Sequence, residues 1–144
     1  VVNDLKGGIK YSYYEGTGEV LPDFAKMQPL KSGVLKRFEI TPKQKDDMFA
    51  FTYEGYLKVP ESAIYTIYSR TDDGCRITVD GEVIHEADGR HGMEVYNETI
   101  GLKGGYHTIK LEYNEIDGGE GMDIQIEGGG IPKQVIGEGM LFYR

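Results

Sequence analysis

Residues 63–84 read AIYTIYSRTDDGCRITVDGEVI, and their periodicity decides the fold class. AIYTIYSR (63–70) alternates about Tyr65 and Ile67 with period two, the pattern of a strand that buries one face. RITVDGEVI (76–84) is two short runs joined by Asp80-Gly81, the dipeptide that fits a two-residue type I′ hairpin because both central positions need positive φ. Between these strands stand two adjacent carboxylates, Asp72 and Asp73. Successive residues of an extended strand point to opposite faces. The pair is therefore either a polar turn, with Asp capping its own backbone ahead of Gly74, or a bend that brings both acids to one side to grip something.

The same alternation continues outward. FAFTYEGYLKV (49–59) places Phe49, Phe51 and Tyr53 on one face and resets at Gly55. YHTIKLEY (106–113) turns Ile109, Leu111 and Tyr113 inward, with Thr108, Lys110 and Glu112 outward. MDIQIE (122–127) does the same with Met122, Ile124 and Ile126. Turn signals separate the runs: Val59-Pro60-Glu61-Ser62, Asp88-Gly89, Gly104-Gly105, Asp117-Gly118-Gly119 and Gly128-Gly129-Gly130. Short, regularly punctuated strands predict an all-β fold, an antiparallel β-sandwich or barrel. LPDFAKMQPL (21–30) is the one helical candidate, and Pro22 and Pro29 hold it to a short helical turn near residues 22–28.

The chain has 144 residues, the length of one domain spanning 1–144. It starts at Val1 without an initiating Met, which predicts a piece of a larger multidomain protein. Its 24 acidic and 16 basic residues leave a formal charge of −8. With no basic cluster beyond Lys36-Arg37, nucleic acid is not an expected partner. No run approaches the roughly 20 apolar residues of a membrane span. The single cysteine, Cys75, excludes an internal disulfide and a multi-cysteine zinc site, and its place in a strand predicts a small buried side chain. Ser12, Ser32, Ser62 and Ser69 lie in no G-x-S-x-G, and no glycine-rich stretch has the phosphate-cradling pattern. The domain alone is not expected to be an enzyme.

A second acidic stretch, NEIDGGEGMD (114–123), carries Asn114, Glu115, Asp117, Glu120 and Asp123 among glycines. It is either a solvated hairpin loop or the remainder of a cation cage. Calcium takes six to eight oxygens from carboxylates, amide oxygens and main-chain carbonyls, here without EF-hand spacing. His85, His91 and His107 are scattered. His91 lies with Asp88 and Arg90 in DGRHGM (88–93), either contacting a ligand or ordering its own loop. Tyr13, Tyr14, Tyr53, Tyr56 and Tyr96 are candidate platforms for a sugar ring, or strand-face packing.

In combination, GIKYSYYEG (8–16), the run 49–84, DGRHGMEV (88–95), IGLKGGYHTIKLEYNE (100–115) and GGGIPKQVI (128–136) resemble the protective-antigen fragment domain, or PA-fourteen, family over nearly the whole chain. The resemblance implies a β-sandwich and a non-catalytic carbohydrate-binding accessory module. Such modules occur in secreted glycoside hydrolases, such as β-glucosidases and β-N-acetylhexosaminidases, and in fungal adhesins. In the adhesin branch an Asp-Asp pair joined by a cis peptide holds calcium, and the calcium contacts sugar hydroxyls. Carried over by position, the metal ligands are Asp72, Asp73 and Asn114, with carbonyls near Ile116 and Gly118. Arg90, His91 and Asp117 are the implied carbohydrate contacts. The implied partners are a glycan and a neighbouring catalytic domain in the same chain, at an extracellular, periplasmic or cell-surface location. The chain departs from the adhesin pattern in having no Trp in that loop and no cysteine pair after the hairpin, which leaves its ligand class open. The alternative is a structural spacer or protein-interaction domain with no glycan affinity.

Overall fold

The alternation around residues 63–84 becomes three strands: β5 (Ala63–Asp72), β6 (Gly74–Val79) and β7 (Glu82–Ala87). The computed structural model describes residues 4–16, 21–87, 94–116 and 121–144, except for the side chains of Asp72 and Glu94. The remaining strands are β1 (Lys6–Gly7), β2 (Ile9–Glu15), β3 (Lys31–Leu35), β4 (Phe49–Val59), β8 (Glu94–Leu102), β9 (Gly105–Glu115), β10 (Gly121–Gly128), β11 (Ile131–Val135) and β12 (Leu141–Tyr143).

They form two antiparallel sheets, as the sequence predicts. The larger, eight-stranded sheet runs β1-β12-β4-β9-β6-β7, with β2 paired to β4 and β3 beyond β2 at an edge, and the smaller runs β11-β10-β5-β8. Asp80 and Gly81 both have positive φ, 51° and 82°, between the paired residues Val79 and Glu82. The hairpin is therefore the two-residue turn that Asp-Gly favours.

The core lies between the sheets. Tyr65 and Ile67 of β5 and Ile124 and Ile126 of β10 face Phe51, Tyr53, Leu111 and Tyr113 of the larger sheet, all buried. Full burial of a side chain such as Phe51 is worth about 1.5–3 kcal/mol. Phe51 also stacks on Tyr53, ring centroids 5.6 Å apart, and Tyr53 satisfies its hydroxyl by donating to the Glu39 carbonyl at 2.6 Å.

The predicted helical turn is a single 3-10 turn, Phe24–Lys26, capped by the Asp23 carboxylate. It lays Leu21 and Phe24 against Tyr14 and Ala50 on the outer face of the larger sheet. Beside it, Glu112 occupies an outward position yet is 8% exposed, and its carboxylate receives the Arg76 guanidinium at 3.2 Å.

One expectation fails in β4. The alternation does not reset at Gly55: Phe49, Phe51, Tyr53, Leu57 and Val59 are all buried in one unbroken strand. Gly55 holds the inward phase without a side chain because a Cβ there would stand 2.4 Å from the Phe142 carbonyl oxygen and 2.7 Å from Ile9 Cδ1.

At the hairpin end, His107 clasps two turns together. Its Nδ1 lies 2.6 Å from Asp80 Oδ2 and its Nε2 lies 2.7 Å from the Lys103 carbonyl. Both partners are acceptors, so only the doubly protonated ring satisfies both. Partial burial pushes the His107 pKa down, but the Lys103 carbonyl and the Asp80 carboxylate outweigh it and leave it raised. A raised folded-state pKa gives stability that is complete below the unfolded value of about 6.5 and lost as pH rises through the folded value. The loss is expected to stay below about 1 kcal/mol because the pair is partly exposed. Urea midpoints of the parent are expected to fall across that window while those of His107→Gln stay flat. Parallel pH profiles would refute the clasp.

Candidate functional site

The chain changes sheets at the acid pair. Asp72 ends β5 opposite Gly121 in the smaller sheet, and Gly74 begins β6 opposite Asn114 in the larger. Asp73 alone makes the crossing. It is 1% exposed, its Oδ2 accepts the Ile116 N–H at 2.8 Å, and its carbonyl accepts from Thr71 Oγ1 at 3.3 Å. For Asp73 the solvated-turn alternative is therefore wrong, because its carboxyl is built into the interior.

Asn114 comes to the same place. Its cross-strand partner Gly74 follows Asp73 directly, and directly opposed residues have Cα atoms about 4.5–5.5 Å apart. Asn114 is fully buried, as is Glu115. Glu115 ends β9 opposite Phe49, in the inward phase of Ile109, Leu111 and Tyr113. It belongs to a strand, not to a flexible acidic loop. Asp123 is likewise a strand residue. It lies in β10 opposite Arg70 and accepts from Gln125 Nε2 at 2.9 Å, away from the crossing.

Arg90, His91 and Asp117 lie outside the described residues, as do Glu120 and Gly118. The strand ends that flank their segments border the crossing: Ala87 opposes Cys75, Glu94 opposes Thr71, and Gly121 opposes Asp72.

A buried carboxylate beside a buried amide, held by main-chain and hydroxyl hydrogen bonds, is an oxygen-donor set and suits a hard cation better than zinc or copper. Among the described residues, no three His, Cys, Asp or Glu side chains gather as a metal site. A cation at the crossing would draw on Asp73, the Asn114 amide and main-chain carbonyls; the side chain of Asp72, the other expected ligand, lies outside the described residues.

Cys75, adjacent in β6, is fully buried, and burial pushes its thiol up to about 12. That environment does not favour a thiolate nucleophile. Of the candidate platforms, Tyr13, Tyr14 and Tyr53 are core residues. The Tyr96 ring packs 5.0 Å from His85. Tyr56 is half-buried on the outer face of the larger sheet. Tyr68, Tyr106 and Tyr143 are not among the tyrosines that the sequence singles out as platforms. Tyr68 lies on the outer face of the smaller sheet, its hydroxyl bonded to Glu127 and Lys133 4.0 Å above its ring. The outward phase it shares with Thr66 and Arg70 is the signal that would have found it.

Residues 6–131 match the family model of the PA14 domain. Among curated proteins, the chain is 29% identical over 119 residues to the anti-sigma-I factor RsgI3 of Acetivibrio thermocellus. The match takes in 78% of this chain and 18% of that protein. Among solved structures, an anti-sigma factor domain-containing protein superimposes with a TM-score of 0.83 at 23% identity, over 96% of this chain and 49% of that one. A PA14 sugar-binding domain from an RTX adhesin superimposes with a TM-score of 0.79 at 17% identity, over 96% of this chain and 99% of that one.

Proposed function

The chain belongs to the PA14 domain family, and we propose that it is a glycan-binding module whose site is a calcium ion held at the Asp72–Asp73 crossing. The observation that carries this reading is the burial of Asp73 beside Asn114 where one residue links the two sheets. Burying a carboxylate is costly unless it is paired or coordinates a metal. Bound calcium would supply a positive centre to which vicinal sugar hydroxyls coordinate. Asp73 and Asn114 hold that centre in place, and the Ile116 N–H fixes the Asp73 carboxyl. The domain is a binding module and has no catalytic role of its own.

The adhesin domain among the similar structures, described as sugar-binding, supports a carbohydrate ligand and a cell-surface or extracellular setting. The likeness to an anti-sigma-I factor favours a parent of the anti-sigma factor type over the glycoside hydrolase attachment expected from sequence. The chain spans less than a fifth of that relative's length, so its partners in the longer protein belong to the proposal.

Titrating the domain against a glycan panel in calcium, then in EGTA, tests the reading. Binding of neutral glycans is expected in calcium and is expected to vanish with the chelator. A domain that binds no glycan at millimolar concentration in calcium is a spacer, and the proposal is then wrong.

A further inference from the structure

The outer face of the larger sheet carries a groove that the acid-pair site does not use. Two depressions, of about 410 and 450 Å³, meet at Lys10 and Glu54. Ser12, Ser32 and Thr52 line one, and Tyr56, Thr78 and Lys110 line the other. Both lie within the usual range of ligand pockets, about 300–1,000 Å³. Lys110 stands four residues before Asn114 on β9, about 13 Å along the strand, and the segment carrying Phe24 packs beside Glu112 between them.

The charge of this groove opposes that of the chain. Lys10 and Lys110 are the cross-strand partners of Glu54 on its two sides. Lys110 pairs with Glu54 at 3.6 Å. Lys10 meets no carboxylate within 4.0 Å among the described residues and instead sits 5.8 Å over the Tyr143 ring. With Arg144 also lining the groove, three cationic side chains against the Glu54 carboxylate leave a local positive excess on a protein of formal charge −8.

The remaining lining selects the ligand class. Serine and threonine hydroxyls pair with hydroxyls, and tyrosine rings offer apolar faces to a pyranose. The groove lies on a sheet face, where the main-chain groups already bond within the ladder. A peptide that binds by adding a strand would take the free edge of β3 at the margin of the groove, away from Lys10 and Lys110 on the interior strands β2 and β9. Nucleic acid would meet the acidic remainder of the chain.

We propose that this groove is a second glycan site, selective for sugars that carry a carboxylate, with Lys10 and Lys110 holding the carboxylate and Glu54 and the hydroxyl side chains holding ring hydroxyls. It is independent of calcium and of the Asp73 site.

The test titrates the full chain in EGTA, so that the acid-pair site is silent whether or not the calcium reading is right. The probes are a β-linked mannuronate oligosaccharide and the mannan oligosaccharide of the same linkage and length, which differ in the carboxylate. The mannuronate is expected to bind at least about fivefold tighter, the equivalent of one exposed ion pair at about 1 kcal/mol. Its affinity should weaken as salt is raised, and its amide shifts should map to Tyr56, Thr78 and Thr108. Lys10→Gln and Lys110→Gln are each expected to lose most of that preference, Lys10→Arg to keep it, and Asp73→Asn to leave it unchanged. Equal binding of the two probes, no binding at millimolar concentration, or full preference in the Lys10→Gln, Lys110→Gln double variant with a native circular dichroism spectrum would each overturn the proposal.

Discussion

Asp73→Asn is expected to abolish calcium-dependent glycan binding, lowering affinity at least about a hundredfold, while leaving the domain folded. The two halves of that outcome have separate causes. Asn has the shape of Asp and keeps an oxygen that accepts the Ile116 N–H now bonded at 2.8 Å. The crossing therefore keeps its hydrogen bond, and unfolding in EGTA is expected within about 1 kcal/mol of the parent. The variant lacks one formal negative charge in a calcium site, where affinity depends on the number of charged ligands. In excess calcium the parent gains RT ln(1 + [L]/Kd), about 2.7 kcal/mol at a hundredfold excess over Kd, and the variant gains none. Asp73→Ala separates the effects in the other direction. It leaves the Ile116 N–H without its acceptor at a cost of about 1–3 kcal/mol, in EGTA as well as in calcium. Calcium-dependent melting together with glycan titration reads both. An Asp73→Asn protein that still binds glycan only in calcium, with parental affinity, would place the metal elsewhere.

The fold class was legible because alternation and turn chemistry act locally. Tyr65, Ile67, Ile109, Leu111, Ile124 and Ile126 are all inward where period two puts them. Asp80-Gly81 forms the hairpin that its own backbone preferences favour. The position of the site was legible only through family resemblance, because its physics is nonlocal. Whether Asp72-Asp73-Gly74 is a solvated turn depends on Asp72 pairing with β10 and Gly74 with β9. Those partners are more than 35 residues away, and no local spacing encodes the choice. Glu115 was misplaced for a related reason. The glycines after it suggested a loop, yet the inward phase of Ile109, Leu111 and Tyr113 runs straight on to it. The groove was invisible in one dimension. Lys10 and Lys110 are distant in sequence and become neighbours only because β2 and β9 flank β4.

Gly55 shows the same limit, and its substitution is expected to destabilise the fold through packing alone. In sequence it looked like a break in periodicity, whereas in the fold it is the inward position at which β12 meets β4. A Cβ there would lie 2.4 Å from the Phe142 carbonyl oxygen, a main-chain atom that cannot swing aside as a side chain would. Gly55→Ala must therefore displace β12, which is held by Leu141 and Phe142 opposite Leu57 and Tyr56 and by the Lys58 N–H to the Met140 carbonyl at 2.8 Å. Overpacking of this kind costs about 1–3 kcal/mol, or up to roughly 6–12 °C in melting temperature for a domain of this length. Hydrogen exchange is expected to quicken first at the Lys58 and Gly8 amides, both of which donate to this segment. Gly101→Ala in β8 is the matched control, since an added Cβ there meets nothing within 4 Å. It is expected to be neutral or to stabilise by up to about 1 kcal/mol, through the lower entropy of the unfolded chain. If Gly55→Ala melts within a degree of the parent, β12 yields without cost and the close approach does not constrain residue 55. If both substitutions destabilise equally, the loss belongs to alanine in a strand and not to this contact.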